Sequence, residues 1–164
     1  MCETRWSSRE DALNIFKSAR ALIIDTLDDL VTGGDRNAKQ LKLALQDFGF
    51  MVAFVVTECV LQYSLALSNL LQRPSIDLVE VASEAETVIS SLQKNRQDDN
   101  VWQELYQDIT KLAEKQNVLP SKPRTAGRQQ NRDNVPAVTP EEYWRRSVYY
   151  LLLATLPMNL RQDL

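Results

Sequence analysis

Apolar residues recur every three or four positions along most of this chain, the period of an amphipathic helix. Leu13, Phe16, Ala19, Ile23, Leu27 and Leu30 form the first stripe. Ser7 with Glu10 three residues on fits a capping box that would start it. Trp6, just before that cap, reads as a hydrophobic staple that packs against Leu13 or against another helix. Gly33-Gly34 ends the stripe, where a last turn needs a left-handed residue. Asp35 can cap a second block beginning near Arg36, and Gly49 marks a kink or break within it.

From Phe50 to Leu71 the pattern changes. Apolar residues fall on nearly every side, as in a buried central helix. The β-branched Val52, Val55 and Val56 leave a short strand open as the alternative. Length and the Leu-Ala-rich second half favour helix. The most apolar stretch, Phe48 to Val56, is about half the ~20 residues of a membrane span, so it reads as core. Pro74 stops this helix, and Asp77, or Ser75 before it, caps the next. Leu78, Ala82, Ala85, Val88, Ile89 and Leu92 form that helix's stripe, with Glu80, Glu84 and Glu86 on the wet face. Asp98 and Asp99 open a further helix carrying Trp102, Leu105, Ile109 and Leu112.

The segment Pro120 to Pro136 breaks the periodicity. It holds three of the six prolines and almost no large apolar residue. Four basic residues, Lys122, Arg124, Arg128 and Arg132, stand against Asp133. A local charge of +3 leaves −6 on the rest of a chain whose net charge is −3. Such a composition cannot bury enough to order itself, so a flexible basic linker is expected. Thr139-Pro140-Glu141-Glu142 then starts a last helix with a cap, proline in the first turn and acids near the positive end of the dipole. Trp144, Val148, Leu151, Leu152 and Thr155 follow as its face, and Pro157 interrupts or kinks its end.

The expected fold is all-α. It has about five helices in all: a helical bundle over 1–117 with a buried central helix, a basic linker over 118–139, and a C-terminal helix over 140–164 that packs back on the bundle. At 164 residues the chain can close one core.

Composition removes many chemistries. There is no histidine, which excludes a His-based triad, a His-ligated zinc and a histidine pH switch. Four glycines leave neither a G-x-G-x-x-G turn nor a P-loop. Two cysteines, Cys2 and Cys59, cannot build a disulfide framework or a four-cysteine metal site. They fit a reduced intracellular protein with one buried thiol. The N-terminus has no apolar core of a secretory signal. No cofactor, metal or membrane partner is expected.

A few groups could still carry chemistry. Glu58 lies within the most apolar helix. A buried carboxylate can serve as a general acid or base, but a Lys or Arg partner, or a place at the bundle edge, is the more ordinary account, because charged groups are rarely buried unpaired. Asp25, Asp28 and Asp29 cluster on the first helix, as a metal pair or as a solvated face. Lys122, Arg124, Arg128 and Arg132 could contact phosphates or simply be a solvated linker. Trp102 and Trp144 sit on amphipathic faces and read as core.

Thr4-Arg5-Trp6-Ser7 before a long amphipathic helix resembles the Arg-Trp motif of hAT-superfamily transposases and their zinc-finger MYM-type and THAP-domain relatives. The order of later features matches too. Phe48-Gly49-Phe50 precedes the apolar helix, Leu70 to Leu78 runs through an Ile-Asp-Leu turn, and a Lys/Arg step follows at Lys94 to Arg96. The last helix, Glu142 to Leu164, has the Tyr-rich apolar centre of that group. The resemblance covers nearly the whole chain. It implies the all-helical insertion that splits a ribonuclease-H-like core in those proteins. Two of that core's metal-binding acids would lie upstream of residue 1 and the third downstream of residue 164. It therefore implies a non-catalytic fragment, nuclear, that contacts DNA ends through Arg5 and Trp6 and belongs with the remainder of a larger protein. The family's Cys-x-x-His element has no counterpart, and Ala154 stands where an Asp is common. The alternative is an independent helical module that binds protein partners and no nucleic acid.

Overall fold

The computed structural model describes residues 5–75, 77–123 and 135–163, with side chains described over 11–75, 77–123 and 135–158. Among the described residues the fold is all-α, with six helices and no strand. They are α1 (Arg5–Thr32), α2 (Arg36–Leu45), α3 (Phe48–Leu71), α4 (Leu78–Gln97), α5 (Asp99–Glu114) and a last helix in three parts. That helix runs from α6 (Pro140–Trp144) through a π-helical turn (Arg145–Tyr149) into α7 (Tyr150–Asp163).

Short side chains set most of the boundaries. Asp35, Asp47, Asp77, Asp98 and Thr139 each cap a helix by accepting backbone N–H bonds of the first turn. Gly34, with φ +90°, closes α1: its N–H bonds the Val31 carbonyl and Asp35 N–H bonds the Leu30 carbonyl. That pair of bonds is a Schellman ending, and its left-handed residue is why glycine is needed there.

Several boundaries differ from the sequence expectation. The first helix starts at Arg5, so Ser7 and Trp6 lie inside it rather than at a cap and a staple. A capping residue needs non-helical backbone, which Ser7 does not have. The second break falls at Asp47, whose carboxylate accepts from Phe50 N–H, and not at Gly49. On α4 the buried stripe starts at Val81, while Leu78 and Ala82 are exposed. Leu30 is also exposed, at the end of α1.

α3 is the axis of the fold. α1, α2, α4, α5, the π-turn and α7 all pack on it. Phe48, Met51, Val52, Val56 and Val60 are almost wholly buried along it. By length and composition α3 is apolar enough to cross a membrane. In this fold half of its most apolar stretch is buried. It is not enclosed on every side: Ala53, Leu65, Ala66 and Leu71 remain exposed.

The C-terminal helix covers the α3–α4–α5 side and carries most of the aromatic packing. Tyr149 lies 5.1 Å from Trp102 between ring centroids, and its hydroxyl donates to the Asn95 carbonyl at 3.0 Å. The π-turn adds one residue per turn, closed by Tyr150 N–H on the Arg145 carbonyl. That insertion moves the buried face. Burial runs Trp144, Tyr149, Leu153, Leu156, whereas Leu151 and Thr155 of the expected stripe are exposed. Nor does Pro157 end the helix, which continues to Asp163 with Pro157 buried inside it.

Trp144 also ties the two sides of the segment 124–134 together. Its Nε1 donates to the Ser121 carbonyl at 2.8 Å. Lys122 Nζ donates to the carbonyls of Ala137 and Val138 at 2.9 and 3.3 Å.

Two outcomes follow. A Cβ on Gly49 would sit 2.8 Å from Trp144 Cη2 and 3.0 Å from the capping Asp47 Oδ1. Glycine-to-alanine in a helix ordinarily gains up to ~1 kcal/mol. Here the indole is buried and held by its bond to Ser121, so Gly49→Ala should instead lower urea stability by about 1–2 kcal/mol. Burial, with Cys59 next, pushes the Tyr149 hydroxyl well above the ordinary tyrosine pKa. The folded state then holds this proton at pH values where the unfolded chain has lost it. Its stability contribution is complete below about pH 10 and is lost as pH climbs above that. Wild type should exceed Tyr149→Phe by about 1 kcal/mol at neutral pH, from the bond to Asn95. Guanidinium melts should show that advantage shrinking above pH 10.

Candidate functional site

The core face of α1 is not wholly apolar. Phe16, Arg20, Ile23 and Leu27 follow one another at helical spacing, and Arg20 is only 6% exposed. Arg20 Nη2 donates to the Leu45 carbonyl at 3.3 Å, at the end of α2. Gln116, with its amide oxygen turned to the guanidinium, accepts from both Nη atoms at 3.0 and 3.1 Å. Arg20 Nε is buried without a partner. Burial lowers the guanidinium pKa, with no carboxylate opposing the shift. An arginine nonetheless stays charged.

Arg20 lies between two adjoining hollows. The larger, of about 430 Å³, has α1 and α5 as walls and α3 as floor, with Phe54, Val55, Leu105 and Leu112 as its apolar lining. The second, of about 350 Å³, shares Lys17, Arg20, Leu112 and Lys115 with it and extends along α1 to Asp25. Together they form an open groove.

Most other charges in the groove are paired. Lys17 Nζ contacts Glu58 Oε1 at 2.5 Å, joining α1 to α3. Glu58 is therefore a buried ion-pair partner, the reading that placed a Lys or Arg beside it. Lys111 pairs with Asp108 one turn away at 3.0 Å. Cys59 is half-buried, and burial together with Glu58 pushes its thiol pKa up, away from nucleophilic thiolate.

The other sequence candidates are dispersed. Arg5 and Trp6 fall in the first turn of α1, and their side chains lie outside the described residues. Arg124, Arg128 and Arg132 also lie outside them. Lys122 is described, and its amine is engaged by Ala137 and Val138 carbonyls. Asp28 pairs with Lys42 of α2. Among the described residues no group of three or more His, Cys, Asp or Glu could hold a metal.

The sequence reading missed Arg20 and its groove. A sign was present: Arg20 falls four residues after Phe16 and three before Ile23, on the stripe that faces the core.

Among the described residues the molecule is thus a helical unit with an open surface groove. No family model and no solved structure matches the chain. Curated relatives do match. The 52 kDa repressor of the inhibitor of the protein kinase from Mus musculus is 26% identical over 156 residues, and its Homo sapiens counterpart is 27% identical over 163. The alignments take in 88% and 90% of this chain but 20% and 21% of those proteins. The chain spans about a fifth of the length of the curated relatives it matches.

Glu58 loses its counter-charge if Lys17 is removed. Lys17→Met should cost about 1–2 kcal/mol, held down because the lysine is 60% exposed. The double variant Lys17→Met, Glu58→Met should recover most of that loss, since a buried pair replaced by apolar side chains is close to neutral. Urea unfolding of the single and double variants checks both statements.

Proposed function

We propose that this chain is a non-catalytic helical module of a larger hAT-transposase-derived regulatory protein, acting within the cell nucleus. One observation carries the reading. Similarity to the two repressors runs along nearly all of this chain and matches only a fifth of theirs. A unit of this kind has its place inside a longer protein. The order of motifs from Arg5-Trp6 to the Tyr-rich last helix supports the hAT assignment, in which the catalytic acids belong to a different part of the protein. The charges in the groove are consistent with a non-catalytic role. Glu58 is held by Lys17, and the Cys59 thiol is shifted away from its reactive form.

What the module contacts divides into two readings. The first is a protein partner, favoured by the open groove and its buried Arg20, which has no ion pair among the described residues. The second is a DNA end, through Arg5, Trp6, Arg124, Arg128 and Arg132 as the resemblance implies. Lys122 adds little to it, because its amine is spent on two carbonyls.

Salt dependence separates them. Phosphate contacts predict an affinity for hairpin or duplex DNA that falls at least ~10-fold between roughly 50 and 200 mM salt. It should weaken further in Arg124→Ala with Arg128→Ala. The protein-partner reading expects no binding, or binding indifferent to salt, measured by fluorescence anisotropy. Strand cleavage on adding magnesium or manganese would overturn the non-catalytic assignment under either reading.

A further inference from the structure

A cation as deeply buried as Arg20 is normally matched by a carboxylate. None is present: Arg20 has no ion pair among the described residues, and its neutral partners Leu45 and Gln116 leave Nε without an acceptor. Glu58 and Asp108, the acids that line the larger hollow, are already engaged by Lys17 and Lys111. Lys115, which also lines both hollows, has no ion pair among the described residues either. The shared middle of the groove is therefore short of negative charge while the whole chain is acidic.

We infer that this groove takes an acidic, otherwise apolar helical segment of a partner protein, whose carboxylate pairs with Arg20 and Lys115. The inference deepens the protein-partner reading above and rests on it. Shape argues for a segment over a small molecule. The lining of α1 runs from Lys17 to Asp25, about 12 Å at helical rise, and the groove stays open along it. That length matches two turns of a docked helix. Phe54, Val55 and Leu112 offer its apolar side chains a floor. Asp25, without an ion pair among the described residues, lies at the far end and sets the direction: the ligand's acid must sit away from it.

The test uses short capped helical peptides with one glutamate between leucines, each matched by a glutamine version. The full chain is titrated with both. The glutamate peptide should bind at least ~10-fold more tightly, and the Arg20 Nε–H resonance should shift on its addition. In Arg20→Gln the two peptides should bind alike. Should that variant unfold, the wild-type resonance shift and a lowered preference in Lys115→Ala carry the test instead. Equal binding of both peptides by wild type, or a preference that survives in Arg20→Gln, overturns the assignment. So does an Arg20 response to octanoate with none to the peptides, which would make the occupant a free organic acid. These outcomes leave the broader protein-partner reading to the DNA titration above, so the two fail separately.

Discussion

α3 is a helix of 24 residues that cannot stand alone in water. Its sequence is apolar around much of its circumference, and exposing it would forfeit the main favourable term of folding. Every other element can be read as an answer to that demand. α1 and α2 cover one side, α4 and α5 another, and the C-terminal helix closes over the start of α3, with Trp144 beside Phe48 and Gly49. The cover is incomplete where α1 and α5 stand apart over the second turn and beyond. There the floor of α3 shows through as the groove. The groove and the stabilising core are thus two faces of one helix.

This arrangement also explains why charge appears where it does. Glu58 sits on α3 at the rim of the cover, close enough to water for Lys17 to reach it from α1. Arg20 sits one turn further along α1 and is turned inward, where it bonds carbonyl and amide oxygens and, among the described residues, pairs with no acid. The neutral shell meets the Nη hydrogen bonds, leaves Nε unmet and supplies no counter-charge. That distinction separates a structural arginine from one that awaits a counter-ion.

Much of the fold was legible in local chemistry. Asp35, Asp77, Asp98 and Thr139-Pro140 announced helix starts because capping is decided by a side chain and the next two or three N–H groups. Gly34 was legible for the same reason. What the pattern hid depends on distant contacts. Gly49 looked like a break, yet its lack of a side chain makes room for Trp144, nearly a hundred residues away. The last helix kept its apolar period on paper, but the π-turn inserted a residue and rotated burial onto Tyr149 and Leu153. The site was less legible than the fold. Glu58 drew attention because it interrupts an apolar run, while Arg20 hid because a long aliphatic stem reads as tolerable on a helix face.

The bonds that join Ser121 to Trp144, and Lys122 to Ala137 and Val138, have a further meaning for how such a chain can change over time. They fasten the chain to the body on both sides of residues 124–134. The entropic cost of a loop grows only with the logarithm of its length, by about 0.6 kcal/mol for each doubling. Evolution can therefore lengthen, shorten or recompose that stretch at little thermodynamic expense, and its cationic composition is open to selection for reasons unrelated to holding the helices together.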